Sequence, residues 1–553
     1  MTRKNINSKS PVTAEAEDLC RRGIMQMDRQ DYGEALKNFD FALKKSPGNY
    51  LASVNRGVCL AQLGRLEEGA VQFYLLHKNR PTDARILKLC GVTHCELGDY
   101  ETGLKFLTRF TKLVAEDYEV WSFMCMAAVK TGKYVEGTIY ATKAIAIEPL
   151  KADGYNNLGA AFLALARFDD AAQAFHTALA IDAENIMAMS NLATTAQKMG
   201  KYDEAIGIYE NVFLKIEAGT LAEAECKYRA SFAYLGSGRL SEGWELYEYG
   251  FIPLDSTSRN PKRKFNVPQW NGEPEPSKKL LIWGEQGLGD EIQFYTLIED
   301  ALLSCPNIIV ECEPRLQSLL QRAYPQITVR GWARNQRVII EDYDLHIPAG
   351  SLMRLFRNEI NDYKKFKPYI KPDYRLTEKF SARLTDIKEK IFVGISWRSI
   401  KIDASRRRYY LMLEQLSGIL SNPKYTIVNL QYGDCEEELK RAEEVLGIKI
   451  LRWNDVDLKD DQEAVAALID LVDVVISPQS AVAQMTMASG KELIIFGPKG
   501  WEFLGQDKFP WGHSVNYIAP ADNEELEAVV PRIEKELAEI ARRKDYVLRA
   551  ENK

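Results

Sequence analysis

A period of 34 residues constrains this chain more than any other feature. An aromatic residue or leucine recurs at Tyr32, Leu66, Tyr100, Tyr134, Phe168 and Tyr202, each heading a similar stretch, from DYGEALKNFDFALKKSPGN at Asp31 to KYDEAIGIYENVFLKIEAG at Lys201. A weaker seventh copy starts near Leu240. Self-similarity at a fixed period of this size is the signature of a stacked array. Gly64, Gly98, Gly132 and Gly200 stand two residues before the anchor, and Pro47, Pro81 and Pro149 recur in phase. Glycine tolerates the left-handed conformation that ends a helix and proline cannot continue one, so each copy is predicted to be a helix, a tight turn and a second helix. One pair has too little apolar surface to fold alone, so neighbours stack and the first helices line a concave face. Asn156, Asn157 and Asn191 fall on first helices. They either reach into that groove, to hydrogen-bond a ligand backbone, or are ordinary solvated positions. His94, His176 and the aromatic anchors, which recur at repeat spacing, are read as core.

The text changes after residue 250. Residues 251–277 carry five prolines and no helical period, which marks a linker. Beyond it, short apolar runs alternate with amphipathic stretches: KLLIW at 279, NIIVEC at 307, YDLHI at 343, IFVGISW at 391, YTIVNLQ at 425, IKILRW at 448, VDVVIS at 472 and ELIIFG at 492. That alternation predicts parallel sheets with helices on both faces. A Pro- and Lys-rich break, DYKKFKPYIKPDYRL from Asp362, divides the region into two halves, 278–376 and 377–553, the second closed by a C-terminal helix. The expected order is a disordered tail over 1–12, repeats over 13–250, the linker and the two halves.

Composition excludes several classes. Lys plus Arg is 72 against 78 Asp plus Glu, and a net charge of -6 argues against a general nucleic-acid binder. No stretch approaches the roughly 18 apolar residues of a membrane span, and the N-terminus lacks an apolar core segment, so a cytoplasmic protein is expected. Nine cysteines show no CxxC pair and no disulfide spacing, and five scattered histidines predict no metal site.

In open α/β sheets ligands meet the carboxyl ends of strands. There GEQGLGD places Gly284, Gly287 and Gly289 in a turn that lets a substrate approach, beside Glu285, with Asp290 and Glu291 in the first turn of the next helix. Asp290 is either a general base for an acceptor hydroxyl or a helix cap; the glycines do not fit the dinucleotide fingerprint. VGISWRS ends a later strand with Trp397, Arg398 and Ser399, and RRRYY follows with Arg408. Those arginines suit a diphosphate or form an exposed basic turn. Gln431 ends the next strand, where its amide could meet a base or sugar. Ser477, Gln479 and Ser480 stand at a helix N-terminus whose free N–H groups favour an anion, and Ala481 is small enough for the helix to pack on the sheet.

The repeats resemble the tetratricopeptide repeat. WGEQGLGDEIQF, VGISWRS, NLQYGD and DLVDVVISPQSAVAQMTMASGK, in that order, resemble the catalytic region of two-domain GT-B glycosyltransferases of the heptosyltransferase-like branch, over roughly 278–545. The combination is similar to bacterial protein glycosyltransferases, including flagellin-modifying enzymes. The resemblance implies an α-solenoid followed by an α/β GT-B region with two Rossmann-like halves. It also implies a nucleotide-sugar co-substrate (CMP-, UDP-, GDP- or ADP-linked) bound by the rear half, no bound metal or cofactor, and a protein acceptor such as flagellin held by the repeats. It places a catalytic carboxylate on Asp290 and the donor phosphates at Gln479, Ser480 and Ala481. Where the family motif has Asp-Thr and then a His, this chain carries Pro478, Gln479, Ser480 and Gln484. A nonulosonic acid on CMP would suit a changed phosphate turn. The alternatives are a scaffold with a degenerate transferase region, or transfer to a glycan or lipid.

Overall fold

The computed structural model describes residues 11–252, 259–261, 263–332, 340–384, 391–399, 407–521 and 524–551. Most of the expected tail lies outside them, and the first helix begins at Pro11. The chain forms two compact units, residues 1–192 and 193–553.

The first unit is built from helix pairs. The second helix of each pair starts on the recurring anchor: Tyr32–Lys45, Leu66–Asn79, Tyr100–Thr111, Tyr134–Ile147 and Phe168–Ile181. The turn ahead of it needs a positive φ, held by Gly64 (77°), Gly98 (80°) and Gly132 (77°). Gln30 (60°) and Ala166 (59°) take that conformation in the copies without glycine, which costs about 1–2 kcal/mol for a residue with a Cβ. A second set of glycines sets the distance between the two helices of a pair. A methyl on Gly23, Gly57, Gly91 or Gly159 would lie 2.7 Å from Phe39, 2.4 Å from Phe73, 2.4 Å from Leu107 or 2.6 Å from Phe175. Where Cys125 holds that position, the facing residue is Ala141, and both are buried in one small cluster. Volume across the contact is conserved, as dense packing requires.

The second unit begins inside the helix Ile186–Lys198 and includes the last repeat helices, Tyr202–Lys215, Leu221–Ser237 and Leu240–Tyr247. Four strands follow: β1 (Lys279–Trp283), β2 (Asn307–Cys312), β3 (Thr328–Gly331) and β4 (Leu345–Pro348), in the sheet order β3-β2-β1-β4. Five more, β5 (Ile391–Ile395), β6 (Tyr425–Asn429), β7 (Val474–Pro478), β8 (Glu492–Phe496) and β9 (Val515–Ile518), form a second sheet in the order β6-β5-β7-β8-β9. Every pairing is parallel. Strands buried on both faces read as unbroken apolar runs, which is why β7 is buried at all five positions. The fold class is therefore a helix-pair solenoid followed by an α/β region with two Rossmann-like parallel sheets. Two details differ from expectation. IKILRW makes only an isolated bridge, Val428 to Leu451, and the short edge strands β3 and β9 lack the apolar runs that revealed the others.

Tyr228, Leu235, Trp244 and Tyr247 of the last repeat helices share one core with Leu280 and Ile282 of β1 and with Phe503 and Trp511. The linker is tied in as well. Trp270 is buried, and Gln269 bridges to His346 on β4. Arg259 is fully buried and hydrogen-bonds Glu285 (Nε to Oε2, 2.8 Å), Glu248 (2.8 Å) and Ser351 (3.0 Å). Gly350 N–H donates to the same Glu285 carboxylate at 2.9 Å. The arginine thus pins the linker to the last repeat helix and to the turns after β1 and β4.

Two substitutions test this packing. Gly159→Val should overfill the contact with Phe175 and lower stability by about 1–3 kcal/mol. Adding Phe175→Ala should recover part of that loss, seen as a favourable interaction energy in denaturant titrations. Arg259→Ala leaves Glu285 charged without its partner and should cost about 3–5 kcal/mol, read as a lower unfolding midpoint of the second unit.

Candidate functional site

In each sheet the strand order reverses at the first strand: β1 has β2 on one side and β4, reached by a crossover, on the other, and β5 likewise lies between β6 and β7. Loops leaving such strands open into a crevice at the carboxyl edge. The loop after β1 carries GEQGLGD and the loop after β5 carries SWRS.

After β1 the chain turns through Gln286, at a φ of 66°, into the helix Leu288–Phe294. Gly284 is needed because a methyl there would strike the Glu291 carboxylate at 2.5 Å. Glu291 is itself buried and accepts from Glu313 N–H at 2.8 Å. Asp290 is exposed, and its Oδ2 accepts the Gly287 N–H at 3.0 Å, closing the first turn of its own helix. Glu285, expected to help form the acceptor turn, lies two residues beyond β1 and faces inward, where Arg259 and the Gly350 N–H hold its carboxylate.

The rear loop departs from expectation in the same way. Trp397 is buried, with its Nε1–H on Glu438 at 2.6 Å, and forms part of the wall of the cavity beside Arg398. Gln431 is 1% exposed, and its Oε1 accepts from Ser396 Oγ (3.2 Å) and from the N–H groups of Trp397 and Arg398 (3.0 Å each). Its amide oxygen therefore holds the loop in place. Arg398 is engaged by Glu438 through Nε at 3.0 Å and donates to the Asp434 carbonyl at 2.8 Å. Burial pushes the Glu438 carboxyl up, but hydrogen bonds from Arg398 and Trp397 outweigh it and hold the group below its usual value. Ser399 accepts from the Tyr432 hydroxyl at 3.4 Å. Arg408 Nη2 donates to the Tyr409 hydroxyl at 2.7 Å. A cavity of about 580 Å³ opens beside Arg398, Arg408, Tyr410, Glu438, Arg441 and Glu527. Arg441 is likewise paired, with Glu414, so the cavity carries acid against base and little free positive charge.

The third turn follows β7. Ser477 is buried, donates to the Pro478 carbonyl at 2.8 Å and lies 2.9 Å from the Ser480 hydroxyl. Ser480 caps the helix Ala481–Ala488, accepting Ala483 N–H at 3.4 Å, and Gln479 is exposed at the turn. The front and rear turns meet here. A methyl on Gly289 would sit 3.5 Å from Ala481 Cα and 3.5 Å from Gln484 Cγ. Gln484 Nε2 donates to Gln293 Oε1 at 3.4 Å, and Gln484 Oε1 is buried without a partner.

One residue here was not among the sequence expectations. Glu502 follows β8 in the 3₁₀ turn Trp501–Phe503 and is half-buried. Burial raises its pKa and the nearby Asp290 pushes the same way, against its own backbone N–H, Lys198 and a hydrogen bond from Gln479. The phenols of Tyr202 and Tyr517 lie within its field. The only sequence cue is the strand-end loop GPKGWEF, whose neighbours come from three distant segments.

Among the repeat asparagines, Asn191 Nδ2 donates to Asn156 Oδ1 at 2.9 Å, and Asn156 is mostly buried. These two form a rung between neighbouring first helices, while Asn157 stays half-exposed. All nine cysteines are buried, and none is in a disulfide. Among the described residues no cluster of His, Cys, Asp or Glu has metal-binding geometry, and no helix is long and apolar enough to cross a membrane.

Tetratricopeptide repeat profiles match residues 20–84 and 188–213. Human Superkiller complex protein 3 is 26% identical over 124 residues, 22% of this chain and 8% of that protein. A solved tetratricopeptide repeat protein from Parabacteroides merdae covers 44% of this chain and 95% of its own at 16% identity, with a TM-score of 0.39. Protein FlbA of Caulobacter vibrioides is 30% identical over 443 residues, 71% of this chain and 74% of its own. That alignment is longer than either the repeats or the α/β region, so it spans parts of both, and this chain belongs to the FlbA family.

Proposed function

We propose that the chain is a glycosyltransferase that moves a sugar from a nucleotide carrier to Ser or Thr hydroxyls of a protein bound by its repeats. Flagellin is the first acceptor to test. The observation that carries this reading is the apposition of the Gly289 turn against the N-terminus of the helix at Ala481, which brings two strand-end loops and two carboxylates around one anion-favouring point. Free N–H groups of that helix, with Ser480 and Gln479 beside them, would neutralise the departing phosphate. Phosphate binding falls to this turn because Arg398 is already engaged by Glu438. Arg408 and Ser399 border the donor side. Tetratricopeptide arrays typically bind polypeptides, with Asn157 among the groups available in the groove. The donor class implies a cytoplasmic location, and neither a metal nor a nucleic acid enters the scheme.

A non-catalytic adaptor is the second reading, favoured by the pairing of Arg398 and by Gln484 in place of a histidine. The two separate in one experiment. Under glycosyl transfer, one of CMP, UDP, GDP or ADP at 100 times its Kd stabilises the protein by about 2.7 kcal/mol, and co-expressed flagellin gains the mass of a sugar. Gln479→Glu should weaken that nucleotide at least about tenfold, because an added carboxylate faces the phosphate. Failure of every nucleotide to stabilise the protein would leave the adaptor; a sugar found on a glycan or lipid while flagellin stays unmodified would move the acceptor class.

A further inference from the structure

Two carboxylates, not one, reach the point where the front and rear turns meet, and they are held differently. Asp290 is exposed and spends one oxygen on the Gly287 N–H at 3.0 Å. Glu502 sits in the first turn of the 3₁₀ helix Trp501–Phe503, its carboxylate shared between its own backbone N–H and Gln479, and the backbone on both sides of it is fixed. Trp501 packs against Phe232 and Trp244 at ring distances of 5.4 and 6.2 Å. The Glu502 carbonyl accepts the Trp511 Nε1–H at 2.7 Å, and Phe503 packs edge-on against Tyr517 at 4.8 Å. The side chain is thereby held among groups from separate elements: Lys198 and Tyr202 from the last repeats, Asp290 from the front half, Gln479 from the turn after β7 and Tyr517 from β9. Tyr409 borders the same cluster through Tyr202 and Tyr517.

We infer that Glu502 takes the proton of the acceptor hydroxyl and that Asp290 is a positioning residue, holding the glycine turn and setting the field at Glu502. The inference rests on the glycosyl-transfer reading. In the step, the acceptor oxygen forms a bond to the anomeric carbon, the bond from that carbon to the phosphate oxygen breaks with its electron pair leaving on the phosphate, and the hydroxyl proton passes to the Glu502 carboxylate. A carboxylate withdrawn from water is the stronger base, and general bases work best when their pKa approaches the working pH. Glu502 is raised mainly by burial, whereas Asp290 faces solvent.

The pH dependence follows. Only ionised Glu502 accepts a proton, so kcat/KM climbs as pH rises through its pKa and then levels. Removing the Asp290 charge eases that ionisation, so Asp290→Asn moves the acidic limb to lower pH. Lys198→Met removes a stabilising cation and moves the limb to higher pH.

The test measures kcat/KM against pH for the full chain, with intact acceptor mass as the readout. Glu502→Gln should lose about 10²–10⁴-fold and its acidic limb, while keeping the nucleotide-induced thermal shift of the wild type. Glu502→Asp should regain part of the rate together with the limb. Asp290→Asn should stay within about tenfold of wild type, less than the loss of a proton-transfer group. A Glu502→Gln enzyme at wild-type rate, or one that keeps the limb, overturns the assignment, as does a large loss confined to Asp290→Asn. Wild-type chain that transfers nothing to any acceptor sinks the glycosyl-transfer reading and the assignment with it.

Discussion

The chemistry available to this molecule depends on how closely two short helices approach. Leu288–Phe294 and Ala481–Ala488 leave different sheets, and their first turns approach so closely that a methyl on Gly289 would already lie in van der Waals contact with Ala481, at 3.5 Å. A side chain larger than a methyl at 289 would part them, and interiors packed this densely do not absorb such a wedge. Gln293 and Gln484 continue the contact one turn further on. Small residues at such a junction are a geometric condition for whatever is done there: donors from one half and a carboxylate from the other come within reach of a single ligand.

Around that junction the ionisable groups sort by burial. Arg259 and Glu285 are sealed in the interior and hold the framework. Arg398 and Glu438 form a partly covered pair that fixes the rear loop. Glu502 lies at the boundary, half-buried, where burial works against its ionisation. A charge neutralised by a fixed partner serves structure, and a carboxyl raised by burial is the one proposed above to take a proton.

Legibility in the sequence followed the physical range of each determinant. The repeat helices depend on local turn chemistry at a constant spacing, and the second helices begin on the anchors read from the text. Central strands announce themselves through apolar runs; β3 and β9, short edge strands, do not need them. The site was legible as a set of loops, whereas the partners of the side chains on those loops were not. Trp397, Gln431 and Glu285 all stand at strand ends, as expected, but a strand end has an inner and an outer side, and these three turn inward. Glu502 was invisible because its character comes from Lys198, Asp290 and Gln479, which no local pattern links to it.

The shared core of the last repeat helices and the sheets has a practical consequence for anyone dissecting the chain. A fragment started at the proline-rich linker would strip Trp244, Tyr247 and Phe232 from their seats, leaving Trp501 without its ring partners and Arg259 without Glu248. The natural cut lies further upstream, near Ala193. Truncation series begun at the linker would therefore report aggregation that has nothing to do with what the upstream repeats bind.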